Sequence, residues 1–207
     1  LLSDYRRWGL LRAVSIRIMS LIRRYAGVLL YRVFVRPLAS GHTSVEAHPQ
    51  ISMRIARPEE LYKAAGGAGL DLNPDFIRGA LERGDTAFGA FDGEDIVAYG
   101  WRTCSSAPHA DGLWVAVGAP YGYAYKAFTR ESHRGRHLAC ALSFFGDTYS
   151  QEWGHTANLS FVELSNYSSL SLQRAKGGEA IGYVGYAKWF GCVFPFGSPG
   201  AKTVGLQ

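Results

Sequence analysis

Ser132-His133-Arg134-Gly135-Arg136-His137-Leu138-Ala139 joins an aromatic, extended run at residues 121–129 to a helical pattern that continues to about Trp153. Strand, basic glycine-containing turn and helix, in that order, aim unpaired backbone N–H groups and the positive end of a helix dipole at whatever sits in the turn. A phosphate is the guest that suits such a turn. The stretch sets the reading of the rest: layers of strand and helix arranged to present one loop.

Upstream, Ile51-Ser52-Met53-Arg54-Ile55 alternates with period two, and Pro58-Glu59-Glu60 opens a helix, with proline and acids in its first turn. Asn73-Pro74-Asp75 caps another. Residues 86–91 and 96–104 read as strands joined by the turn Asp92-Gly93-Glu94-Asp95, and 113–117 as a further short strand. The segment 105–112, with His109 and Asp111, reads as a loop. Downstream come a helix to Trp153, a strand at 156–164, a helix at 168–176 and a last aromatic strand near 181–190. Strands alternating with helices imply an α/β or α+β domain with one sheet between helices. No repeat or low-complexity tract interrupts it.

With 47% hydrophobic residues, 207 residues are enough for one core, and the expected domain runs from 51 to 207. The net charge of +5 is unevenly placed: no acid lies between Asp4 and Glu46, while Arg6, Arg7, Arg12, Arg17, Arg23, Arg24, Arg32 and Arg36 do lie in the first 38 residues. The remainder is near neutral, which argues against a broad nucleic-acid surface. Residues 1–38 read as an arginine-rich amphipathic helix that loosens near residue 30, and 39–50 as a linker. On a helical wheel Leu11, Val14, Ile18, Leu21, Ile22, Tyr25 and Leu29 form one stripe. Three partners suit such a helix: its own domain, a second copy in a homodimer, or an anionic membrane surface. The arginines interrupt every window long enough to span a bilayer. Cys104, Cys140 and Cys192 have neither disulfide nor zinc spacing, so no metal is expected and the reducing cytoplasm is the expected compartment.

The strand leading into Arg134-Gly135-Arg136-His137-Leu138-Ala139, followed by a strand leading into Asn166-Tyr167-Ser168-Ser169, resembles the GNAT superfamily of acyl-CoA-dependent N-acyltransferases over residues 51–191. The resemblance implies a mixed, mostly antiparallel central sheet with a splayed strand pair and helices on both faces. It implies that turn amides hold the diphosphate of acetyl-CoA or a longer acyl-CoA, and that the backbone near Phe128 and Thr129 meets the thioester. Asn166 and Ser169 would then contact the pantetheine arm. Arg134 and Ala139 match the family's turn pattern, Gln/Arg-x-x-Gly-x-Gly/Ala, whereas His137 replaces its first glycine. The position of the tyrosine that many members use as general acid reads as Gln173, whose amide cannot serve.

An amine nucleophile must lose a proton before it attacks, and Glu163, near the end of its strand, is the first candidate for the base. The implied reaction moves an acyl group to a small-molecule or peptide amine. Two variants stand beside it. One takes long-chain acyl groups from acyl-CoA or acyl carrier protein, as the N-acyl amino acid synthases of the same superfamily do; the other binds acyl-CoA without turnover.

Overall fold

The computed structural model describes residues 9–38, 49–67, 69–110 and 113–202. Most of the expected linker, and Asp111, lie outside the described residues. In chain order the elements are α1 (Leu10–Ala26), β1 (Val28–Pro37), β2 (Ile51–Ile55), α2 (Pro58–Ala65), α3 (Pro74–Glu82), β3 (Thr86–Asp92), β4 (Asp95–Thr103), β5 (Ser106–Ala110) and β6 (Leu113–Ala116). There follow β7 (Tyr121–Thr129), a single 3-10 turn (Glu131–His133), α4 (Leu138–Glu152), β8 (Ala157–Glu163), α5 (Tyr167–Ala175), β9 (Glu179–Trp189), β10 (Cys192–Gly197) and α6 (Pro199–Lys202).

Two points differ from the sequence reading. The segment 1–38 is not one helix: α1 ends at Gly27, which adopts φ 59° and donates its N–H to the Arg23 carbonyl, and β1 begins at once. The reason lies in Val33-Phe34-Val35, β-branched and aromatic residues that pack on a pleated surface. Within the segment read as a loop, Ser106–Ala110 forms the strand β5, which pairs antiparallel with β6.

The chain divides into two compact units, residues 36–160 and residues 1–35 with 161–206, so that among the described residues α1 and β1 group with β9 and β10. In the larger unit β2, β3, β4 and β7 pair antiparallel in that order, and β7 pairs parallel with the start of β8. Helices cover both faces of this sheet. Trp101 of β4 meets Phe76 of α3 edge-on at 5.4 Å, while its neighbour Arg102 points to the opposite face and bonds Asp147 of α4. Ile51, Phe88, Ala90, Val97 and Ala98 from the strands pack with Leu138 and Leu142 of α4.

Asp147 is fully buried and anchors α4 to the strands beneath it. Its Oδ1 accepts from Arg36 Nη2 at 2.6 Å, from Arg102 Nη2 at 2.6 Å and from Asn158 Nδ2 at 2.8 Å. Arg36 Nη1 lies 2.5 Å from Oδ2. Arg102 also donates to the Ser143 carbonyl at 2.5 Å and to Ser150 Oγ. Burial pulls the Arg102 guanidinium below its usual range, against the opposing pull of Asp147.

In the smaller unit β10, β9 and β1 pair antiparallel in that order, and the Leu164 N–H reaches the Leu30 carbonyl at 3.1 Å. Phe34 of β1, Val162 of β8 and Leu170 of α5 form its core, with Tyr167 packed against them.

Candidate active site

The backbone of β7 carries two irregularities that local sequence does not announce. Tyr99 pairs with Phe128 and Trp101 with Tyr125, so two residues, Lys126 and Ala127, face the single Gly100. This is a β-bulge, and Lys126 takes the left-handed conformation with φ 47°. On the other side, β7 pairs with β8 only through Tyr121, Gly122 and Tyr123, against Ala157, Asn158 and Leu159. Among the described residues, the stretch 124–129 has no pairing partner on that edge, so its outward backbone groups stay open.

Arg134 ties the end of β7 to the turn. Its Nε donates to the Thr129 carbonyl at 3.2 Å, its guanidinium lies 5.6 Å from the Phe128 ring centre, and Nη1 is 3.6 Å from Glu131 Oε1. Gly135 has φ 79° and His137 φ 58°, and α4 starts at Leu138, which is buried. The Arg134 N–H returns to the Glu131 carbonyl and the Cys140 N–H to the His137 carbonyl. Among the described residues, the five N–H groups of Gly135, Arg136, His137, Leu138 and Ala139 have no acceptor.

The other well-formed helices of the core do not leave their starts open. At α3 the Asn73 Oδ1 accepts from the N–H groups of Asp75 and Phe76, and at α5 the Asn166 Oδ1 accepts from Ser169. At α2 the Glu60 carboxylate accepts from the Arg57 N–H at 2.9 Å. At α4 there is neither a side-chain cap nor an acid in the first turn. The start of α4 thus leaves five donors open at the positive end of a helix dipole, with Arg134 adjoining them in the chain, a donor set whose chemistry suits a diphosphate.

His137 stands in this cradle where glycine would be unstrained, a position that costs a side chain about 1–2 kcal/mol. His137→Gly is expected to change stability by less than about 1 kcal/mol, because strain relief and extra unfolded-chain entropy oppose each other. It is expected to leave coenzyme A affinity, measured by calorimetry, equal or a few-fold tighter. A marked loss would mean that the imidazole itself donates to the phosphate.

Glu163, Asn166 and Ser169 belong to the smaller unit. Asn166 spends its Oδ1 on the helix cap, accepting from the Ser169 N–H at 3.1 Å and from Ser168 Oγ at 2.9 Å. Glu163 is partly exposed; Ser165 Oγ donates to its Oε1 at 2.6 Å, and Arg23 Nη1 of α1 lies 3.8 Å from its Oε2. Both carboxylate oxygens are therefore engaged. Tyr167 shares a hydrogen bond with Ser15 Oγ and lies under the Arg12 guanidinium at 5.4 Å, and Gln173 lies within α5.

A carboxylate that the sequence reading passed over sits in the larger unit. Asp85 follows the Arg83-Gly84 turn after α3, and its side chain is fully buried. Its Oδ2 accepts from Tyr125 Oη at 2.5 Å, from Arg83 Nη2 at 2.7 Å and from Arg83 Nε at 3.0 Å. Its Oδ1 is buried and has no hydrogen-bond partner. A buried carboxylate lone pair without a donor is costly, and a fold that keeps one invites an explanation. Tyr125 lies on the open stretch of β7, its ring edge-on to Phe76 at 6.1 Å and stacked with Tyr123 at 5.2 Å. Burial, then the neighbouring Asp85, pushes the Tyr125 phenol well above its usual range, so it stays protonated at neutral pH.

No protein-family model matches the chain, and no curated protein is significantly similar to it. Solved structures are. A GNAT-family protein from Novosphingobium aromaticivorans is similar with a TM-score of 0.54 and 15% identity, over 77% of this chain and 63% of that one. A GNAT-type N-acetyltransferase from Sphaerobacter thermophilus gives a TM-score of 0.55 at 18% identity, over 83% and 55%. A tandem GNAT protein from the clavulanic acid biosynthesis pathway gives 0.54 at 14%, over 78% and 55%. The chain thus spans between 55% and 63% of the length of these three. Its fold is that of the GNAT acetyltransferases.

Proposed function

We propose that the chain is an N-acyltransferase that moves an acyl group from acyl-CoA to an amine. The observation that carries this reading is the run of five acceptor-free N–H groups at 135–139, set at a helix start beside a strand whose edge is open. Those amides and Arg134 would hold the diphosphate, and the open edge of β7 near Phe128 and Thr129 would receive the pantetheine arm. Bound acyl-CoA supplies an activated thioester for the amine to attack. Backbone donors fixed along β7 would stabilise negative charge developing on the thioester oxygen, and each such donor lowers the barrier by about 3–4 kcal/mol. We assign Asn166 and Ser169 to the same cofactor by their place in the sequence pattern. Because the spacing of Cys104, Cys140 and Cys192 suits neither a disulfide framework nor zinc, the reducing cytoplasm is the compartment we assign.

The amine reaches this site as an ammonium ion and must be deprotonated. We assign that step to Asp85 in preference to Glu163, because one Asp85 oxygen has a free lone pair while both oxygens of Glu163 are engaged. Arg83 and Tyr125 fix the carboxylate through its other oxygen, and the surrounding rings suit a cation. The test is thiol release from acetyl-CoA and longer acyl-CoAs with a pooled amine library. Asp85→Asn is expected to lower kcat by about 10²- to 10⁴-fold with coenzyme A affinity unchanged. Tyr125→Phe, which keeps the ring packing, guards against a mere folding failure. Full activity in both variants would remove Asp85 from the mechanism, and absence of turnover in the parent protein with tight acyl-CoA binding would favour a binding module.

A further inference from the structure

The smaller unit holds half of the chain's cations and almost none of its acids: 11 of 22 Lys and Arg, against 3 of 17 Asp and Glu. Within it α1 rests on its neighbours through Ser15, Ile16 and Met19, which are half-buried. At about 100° per residue, Leu10, Leu11, Val14, Ile18, Leu21, Ile22 and Tyr25 occupy a contiguous arc of about 120° on the other side. That arc is bare: Leu11 is 87% and Tyr25 78% exposed, and the rest lie between 37% and 61%. Arg17 and Arg24 run along one border, and among the described residues neither has an acidic partner.

A second element of the same unit ends beside it. The Lys188 N–H donates to the Gly27 carbonyl, so the β9–β10 hairpin tip adjoins the C-terminal end of α1. The tip is Trp189-Phe190-Gly191, with Phe190 at φ 47° and Gly191 at φ 77°. Those are the angles of a two-residue hairpin turn that favours Asn-Gly. Here the first place is taken by a phenylalanine that is 94% exposed and stacked on Trp189, itself 68% exposed, with ring centres 5.9 Å apart. A bulky aromatic held in a left-handed turn, 94% exposed and stacked on a neighbour that is itself exposed, adds nothing to a core, and strain of this kind clusters at functional places. Phe194 and Phe196 of β10 are exposed as well.

We propose that this face, the α1 arc with the Trp189–Phe190 tip, lies in the interface of an anionic lipid bilayer. An in-plane helix with an apolar arc and a cationic border binds by apolar insertion plus attraction to lipid charge. The exposed Trp189 and Phe190 at the adjoining tip are amphipathic and apolar rings of the kind that enter a membrane interface. A second copy is the weaker occupant on charge grounds. Two-fold pairing sets each patch against itself, and two helices without a single acid would bring arginine borders together with nothing to neutralise them. The face sits on the surface and does not cross, since no helix among the described residues is long and apolar enough to span.

The test is co-sedimentation of the full chain with vesicles of phosphatidylcholine alone and of phosphatidylcholine with 30% phosphatidylglycerol (about a third anionic, enough for a strong surface potential). Binding is expected to the anionic vesicles, to fall at least tenfold on neutral ones, and to fall similarly in high salt. Ile18→Glu and the pair Arg17→Glu with Arg24→Glu should each abolish it. Phe190→Asn should weaken it while holding or raising thermal stability, because asparagine tolerates the turn's left-handed first position. No binding to anionic vesicles, or binding that all these variants retain, overturns the proposal. So does a concentration-dependent dimer in ultracentrifugation that Ile18→Glu dissolves, which would assign the face to a second copy.

Discussion

Asp147→Ala is expected to destabilise the protein by about 3–5 kcal/mol, read as a lowered midpoint in urea or thermal unfolding. Asp147 is the acid that Arg36 and Arg102 share, and both guanidiniums are about 95% removed from solvent. Removing the carboxylate leaves two buried cations facing each other and strands the Asn158 amide. For a domain whose total stability is on the order of 5–15 kcal/mol, that loss is enough to unfold a large share of molecules near physiological temperature. A functional consequence follows from place. Asp147 holds α4, the helix whose first turn carries the open amides, so whatever variant still folds should bind coenzyme A more weakly. A change below about 1 kcal/mol would mean that the network contributes little and that α4 is held by Leu138, Leu142 and the aromatic contacts of Phe145 and Tyr149 with Phe88.

Arg134→Glu is expected to weaken coenzyme A binding by about 10- to 100-fold in calorimetry, since a charge-assisted bond worth about 1.5–3 kcal/mol gives way to repulsion. Arg134 is exposed and its ion pair with Glu131 is a surface one, so stability should move by no more than about 0.5 kcal/mol. That separation distinguishes it from Asp147→Ala. Unchanged affinity would count against the turn as a phosphate site.

Much of the fold was legible because it rests on local signals. The turn at 132–139, the Asn73 cap, the Asp92–Asp95 hairpin and the alternation of strand and helix each depend on neighbouring residues, and each stands where expected. What the sequence hid depends on distant partners. β1 reads as the tail of a helix until Gly27 is seen to cap α1 and β9 to pair alongside. The bulge at Lys126 has no sequence signature, since lysine has no preference for positive φ and only the register against Gly100 reveals it. Asp85 looks like an ordinary polar residue after a glycine turn, and it becomes notable only when Tyr125, forty positions away, is found bonded to it. β10 also escaped notice, because Phe190 stands where a turn would call for asparagine or glycine.

The cradle itself is the claim on which the functional reading rests, and backbone amides report on it without mutation. In a ¹H–¹⁵N correlation spectrum of the full chain titrated with coenzyme A, the amides of Gly135, Arg136, His137, Leu138 and Ala139 should show the largest shifts, saturating together with those of the open stretch of β7. Binding that leaves these five amides unmoved would contradict the account.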